Sequence, residues 1–152
     1  MENKEIERPS LDNFYGSYDV CVDNKSRIAL PRYFSNKLLE KHELILTRTF
    51  NACYPIIAVF PSVDAHKLGM DFYSCMSEFD FADKVNLWNL NSMVSPMDSG
   101  NRITLRGNKD FIPDNKMITI LGQGNWFELW KTEEFTEYKE YLEGVQMKLT
   151  IK

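Results

Sequence analysis

The sequence predicts an α+β fold in which two tandem copies of a β-hairpin/helix unit interleave into one intertwined domain. Three observations predict it. An octet around Asp23, D-N-K-S-R-I-A-L, returns 75 residues later around Asp98 as D-S-G-N-R-I-T-L. After each octet the same order follows: a short segment, a first apolar run, a second apolar run and a polar helix start. The chain then closes on a stripe of apolar residues at helical spacing. Repeats are sought first because they set the architecture.

In the first copy, residues 14–22 and 27–31 read as two strands of a hairpin, with Val20 and Val22 on one face and Ile28 and Leu30 on one face. Asp23-Asn24-Lys25-Ser26 is the connection, since Asp and Asn side chains bond nearby backbone and tolerate positive φ. Pro31 ends the strand, and Ser35 is placed to cap a short helix carrying Leu38 and Leu39. The runs Leu44–Thr47 and Ile56–Phe60 are strands, and Ser62 is a helix start. Residues 63–75 and 78–90 are assigned as helices. In the second copy Asp98-Ser99-Gly100-Asn101 is the turn, with Gly100 free to take the left-handed conformation. Met117–Leu121 and Trp126–Trp130 are its strands, and Thr132 starts its helix. Phe135, Tyr138, Tyr141, Leu142 and Val145 form that helix's apolar stripe, Glu133 and Glu134 suit its first turn, and Gly144 is a local stop. Each copy has too few residues for a core of its own, so it buries its apolar face against the other. The division expected is a flexible N-terminal arm at 1–12, a first copy at 13–90 and a second at 91–152.

Composition bounds the function. The chain has 152 residues, 43% hydrophobic and 26% charged, the balance of one soluble globular domain. It has no apolar run of about eighteen residues to cross a membrane, and its start, MENKEIERPS, lacks a secretory core. Cys21, Cys53 and Cys75 are odd in number and widely spaced, neither a disulfide framework nor a C-x-x-C pair, and their apolar or aromatic neighbours read as core thiols. The expected compartment is the cytoplasm. The net charge of −4 argues against a generally basic nucleic-acid coat. It is uneven, however: residues 24–50 carry six basic and two acidic groups, while residues 1–23 carry two basic and six acidic.

Catalytic chemistry finds little support. His42 and His66 are not at metal-ligand spacing, and no nucleophile elbow, phosphate loop or H-E-x-x-H pattern occurs. Asp23 and Asp98 are explained more simply as turn residues than as an acid/base pair. Trp126, Phe127 and Trp130 read as packing before base stacking. The expectation is no enzyme, no catalytic residue, no metal, no cofactor and no small-molecule substrate.

The informative residues are Arg27 and Arg102, one beside each turn, with Lys25 added in the first loop only. Core packing does not call for an arginine there. Each can pair with the aspartate of its own turn, and that pairing is compatible with binding because a carboxylate holds a guanidinium fork in one pose. The functional reading is a β-ribbon presenting arginines to DNA, since a two-stranded ribbon fits the major groove and Arg bonds guanine O6 and N7. One such site is weak, and several subunits on successive sites multiply it.

D-N-K-S-R-I-A-L-P-R-Y-F, I-I-A-V-F-P-S, D-S-G-N-R-I-T-L and I-L-G-Q-G-N-W-F-E-L-W-K together resemble the MraZ family of the AbrB-like swapped-hairpin superfamily, over nearly all of residues 14–141. The resemblance implies a swapped-hairpin β-barrel with flanking helices and ring-shaped homo-oligomers. It implies a transcriptional regulator that binds double-stranded DNA with direct repeats upstream of the division and cell-wall gene cluster, in the cytoplasm at the nucleoid. It also implies that Lys25, Arg27 and Arg102 are the DNA-binding residues. The chain departs from the family pattern where Ser26 and Asn101 stand at the glycine before each arginine, with Gly100 one place early, and where Arg106 follows Leu105. The alternative is an oligomeric protein-interaction module that has lost DNA binding.

Overall fold

A computed structural model describes residues 14–38, 43–61, 65–73, 78, 80–105 and 107–151. Among the described residues, eight strands and four helices follow in the order β1 (Ser17–Cys21), β2 (Arg27–Ala29), α1 (Arg32–Ser35), β3 (Glu43–Asn51), β4 (Tyr54–Pro61), α2 (Ala65–Tyr73), α3 (Phe81–Asn91), β5 (Ser92–Pro96), β6 (Arg102–Thr104), β7 (Met117–Gly122), β8 (Phe127–Lys131) and α4 (Thr132–Ile151). The α+β class, the four apolar-run strands and the helices after β4 and β8 agree with the sequence. Leu39, His42, Ser62, Cys75, Arg106 and residues 1–12 lie outside the described residues.

The strands form an open six-stranded sheet, β1-β7-β8-β4-β3-β5, and a separate ribbon, β2-β6. That order reads the same from either edge once β1 is matched with β5, β3 with β7 and β4 with β8. The offset of β1 to β5 and of β2 to β6 is the 75 residues of the octets. The rotation axis passes between β4 and β8 in the sheet and through the Ile28–Ile103 pair of the ribbon.

The expected hairpins do not form. β1 pairs antiparallel with β7 instead of β2, and β5 pairs with β3 instead of β6. The physical cause is visible just after β1. The Val22 amide donates to the Lys116 carbonyl at 2.9 Å, and the Val22 carbonyl accepts from Asn115 at 2.8 Å, so the backbone is committed to the other half before it turns. Alternation of apolar residues names a strand and its buried face, but not its hydrogen-bonding neighbour. The result is strand exchange: each half places its first strand at the edge of the other half's sheet.

β3 and β4 meet in a two-residue turn whose Ala52 and Cys53 both have positive φ (52° and 71°), the geometry that follows the twist of paired strands. One sheet face and the ribbon enclose a core of Phe14, Ile28, Phe34, Leu46, Ile103 and Phe127, all buried. The other face packs under α2, α3 and α4 through Phe60, Trp88 and Trp130. Trp130 stacks on Tyr138 of α4 with ring centroids 5.5 Å apart and planes 8° from parallel. Trp126, Phe127 and Trp130 are therefore packing residues. Tyr54 donates to Glu137 at 2.6 Å and ties β4 to α4; that bond, then desolvation, pushes the phenol up to about 12.

Three local expectations are corrected. Ser35 is the last residue of α1, and its hydroxyl donates back to the Arg32 carbonyl at 3.2 Å, while Pro31 occupies the N-cap. Proline suits the entrance because its fixed φ is helix-ready and its missing N–H has no partner to lose. Gly144 does not end α4, which continues to Ile151; a glycine within a helix costs only about 1 kcal/mol relative to alanine. Cys21 and Cys53 are exposed, because one alternates outward on edge strand β1 and the other sits at a turn tip.

Candidate nucleic-acid interface

The ribbon is only three residues long on each side, and its ends carry the two loops. Asp23 organises the first. Its Oδ1 accepts the amides of Lys25 and Arg27, both at 2.9 Å, and its Oδ2 accepts the Nε of Arg27 at 2.9 Å. Asp98 repeats this: Oδ1 accepts from Gly100 at 2.8 Å and Arg102 at 3.0 Å, and Oδ2 from the Arg102 Nε at 3.2 Å. Short side chains that accept from backbone two residues ahead make such turns. In both, the aspartate carbonyl accepts from residue 26 or 101, and the aspartate amide donates to the arginine carbonyl at 2.9 Å.

The left-handed residue is Ser26 in one loop and Asn101 in the other, each at φ 60°. Gly100 does not take that conformation, contrary to the sequence expectation. Its small size serves another end. A Cβ there would lie 3.0 Å from the Arg102 Nε and 3.2 Å from its Cζ, so glycine makes room for the guanidinium to fold back to Asp98.

The loops adjoin across the ribbon. The Leu30 amide donates to the Asn101 carbonyl at 3.0 Å, and the Leu105 amide to the Ser26 carbonyl at 2.6 Å. The Arg27 Nη1 stands 3.8 Å from Asp98 Oδ2. The Arg27 side chain is 24% exposed and that of Arg102 37%, and Lys25 is exposed. The predicted trio thus lies in one neighbourhood, beside the two turn carboxylates. Partial desolvation pushes the Asp23 carboxyl up, but the amides of Arg27 and Lys25 and the Arg27 guanidinium together outweigh it and hold the pKa below 3.8. Asp98 is lowered by the same balance: desolvation raises it, and the Arg102 and Gly100 amides with both guanidiniums lower it further. Both carboxylates are therefore charged, and neither is poised for proton transfer near neutrality.

One residue of the site carried no sequence signal. Asp114 accepts the Ser26 hydroxyl at 2.6 Å and pairs with Lys109 at 3.4 Å, bracing the first loop from 88 residues away. Away from the loops, buried Glu128 accepts N–H bonds from Asn51, Gln123, Trp126 and Trp130 at 2.9 to 3.2 Å, which fixes the β7–β8 turn. Among the described residues no group of three or more His, Cys, Asp or Glu is placed to hold a metal ion, and no helix is long and apolar enough to cross a membrane.

The geometry defines a class: a pseudo-twofold, strand-exchanged domain that displays paired, aspartate-clamped arginines at the ends of a short ribbon. No family model matches the chain. Its curated relatives are named Transcriptional regulator MraZ. The one from Actinobacillus pleuropneumoniae serotype 3 is 27% identical over 128 residues, covering 80% of this chain and 82% of that protein. Those from Mycoplasma capricolum and Lactobacillus gasseri are 26% and 29% identical, each across 84% of this chain and 95% and 87% of their own lengths. This chain is similar to the MraZ proteins, and the likeness read from its loops and strands extends over about four fifths of its length.

Proposed function

We propose that this protein is a transcriptional regulator that binds double-stranded DNA through Lys25, Arg27 and Arg102. The observation that carries the reading is the pair of matching loops: two arginines, clamped by two aspartates, adjoin at one ribbon and remain solvent-accessible. The relatives' shared name, transcriptional regulator, supports it. A preset guanidinium loses less side-chain entropy on binding than a free one.

The finer reading follows the same line. The chain comprises two copies, 13–90 and 91–152, behind an arm at 1–12. The exchange of β1 and β5 supports the AbrB-like swapped-hairpin arrangement. The protein acts as a ring-shaped homo-oligomer on direct DNA repeats ahead of the division and cell-wall gene cluster, in the cytoplasm at the nucleoid. Self-association is supported by the far half of α4, where Tyr141, Leu142, Val145, Met147 and Leu149 are exposed. It is also what a site with so few cationic side chains requires, since several weak contacts on one duplex combine through effective concentration.

The test is an anisotropy titration with duplex from upstream of the protein's own gene, in a salt series. Wild type is expected to weaken steeply with salt as counterions are released. Arg27→Ala and Arg102→Ala are each expected to weaken binding. A wild-type protein that binds no DNA at low salt ends the proposal; an intact oligomer without DNA affinity would establish the interaction module instead.

A further inference from the structure

We infer that the two arginines divide the work, Arg102 reading a base edge and Arg27, with Lys25, holding phosphate. The inference rests on the DNA-binding reading above and goes beyond it by assigning specificity to one loop.

A guanidinium offers two bidentate edges, one made of Nε with a terminal nitrogen and one made of the two terminal nitrogens. Guanine recognition needs one edge whole, because O6 and N7 each accept one of two parallel N–H bonds. In Arg27 both edges face a carboxylate, one through a hydrogen bond and one through a longer ion pair. Its Nε donates to Asp23 at 2.9 Å, and its Nη1 faces Asp98 at 3.8 Å. Arg27 therefore has a carboxylate at one nitrogen of each edge. In Arg102 only Nε is engaged, by Asp98 at 3.2 Å, and among the described residues no other carboxylate lies within ion-pair distance of it. Its terminal edge is whole, and its side chain is the more exposed of the two, 37% against 24%.

The neighbouring residues fit this division. Gly100 lets the Arg102 guanidinium lie back over its own loop, with Cζ and Nη2 both 3.2 Å from where a Cβ would be. The corresponding residue of the first loop is Lys25, which has a side chain, and there the arginine leans across to Asp98. Lys25 is a flexible point charge beside a partly occupied guanidinium, a pair suited to a phosphate, which accepts single bonds from many directions.

The experiment first selects, with wild-type protein, a preferred duplex from a random-sequence library, then measures affinity for that duplex and for its shuffled sequence. Arg102→Lys and Arg102→Ala are expected to lower the preferred-to-shuffled ratio about tenfold, since lysine cannot make the bidentate pair. Gly100→Ala is expected to do the same with the arginine retained, because its backbone is not left-handed and the added methyl displaces only the fork. Arg27→Lys is expected to weaken both duplexes alike and leave the ratio within about twofold. Thermal melts establish that each variant is folded. A ratio that survives Arg102→Ala, or that falls with Arg27→Lys as with Arg102→Lys, overturns the assignment. If wild type binds DNA but selects no sequence, the assignment fails and DNA binding stands. If it binds no DNA, both fail.

Discussion

The two loops share a hydrogen-bond diagram and differ in what holds it. Residues 23–27 and 98–102 have the same aspartate clamp, the same left-handed penultimate residue and the same arginine position. Loop one puts serine at the left-handed site and supports it from outside, through the Asp114 carboxylate. Loop two puts asparagine there, which tolerates that conformation unaided, and spends its glycine on making room for Arg102. Loop one is thus braced by its surroundings, and loop two by its own sequence. The comparison teaches that an internal rotation axis can preserve backbone geometry while leaving each site to be tuned separately.

The largest expected effect tests the symmetric part. Ile28 and Ile103 face each other on the axis, both fully buried. Truncating either to alanine should cost about 2–5 kcal/mol in urea unfolding, and the two costs should agree within about 1 kcal/mol. A clear inequality would show that the ribbon is less symmetric in energy than in shape. Next comes the brace. Asp114→Ala should cost about 1–3 kcal/mol, because it leaves the 4%-exposed Ser26 hydroxyl without its acceptor, and most of that loss should vanish in a Ser26→Gly background. Equal losses in both backgrounds would remove Asp114 from the account of loop one. Asn101→Ser copies loop one's residue without its brace and should cost up to about 1 kcal/mol, measured as a lower thermal midpoint. An unchanged midpoint would mean that the second loop needs no tolerance of its own.

The smallest effect is in acid. Both aspartates titrate below 3.8 in the folded protein, so the stability they add is fully present above pH 3.8 and is lost as pH falls through their lower folded values. Asp23→Asn and Asp98→Asn should each flatten the acid limb of the stability–pH curve, with Asp98 flattening it more because two guanidiniums face it. Identical limbs would deny Asp98 its cross-loop role.

Much of this was written plainly in the chain. The Asp–Arg octets specify their turns locally, through side chains that bond backbone within four residues, and local rules survive without knowledge of the fold. The apolar runs of β3, β4, β7 and β8 announce themselves by composition. Partnership is another matter. β1 and β2 read as a hairpin because they are neighbours in sequence, and only the competing edge of β7 decides otherwise. The same limit hid Asp114, whose partner lies 88 residues back. It hid the bond from Asn51 to Glu128 too, which spans 77 residues, although the carboxylate's other three donors lie within five residues of it. Cys53 misled for a different reason: hydrophobicity describes a residue's preference, and a turn tip overrules it.

The exchanged edge strands have a consequence for how the molecule comes apart. β1 belongs by sequence to one half and by hydrogen bonds to the other, and β5 does the reverse. Neither half can melt without stripping a strand from its twin. Heat should therefore take the whole domain in a single cooperative step, and a fragment ending before β5 should be unable to hold itself together.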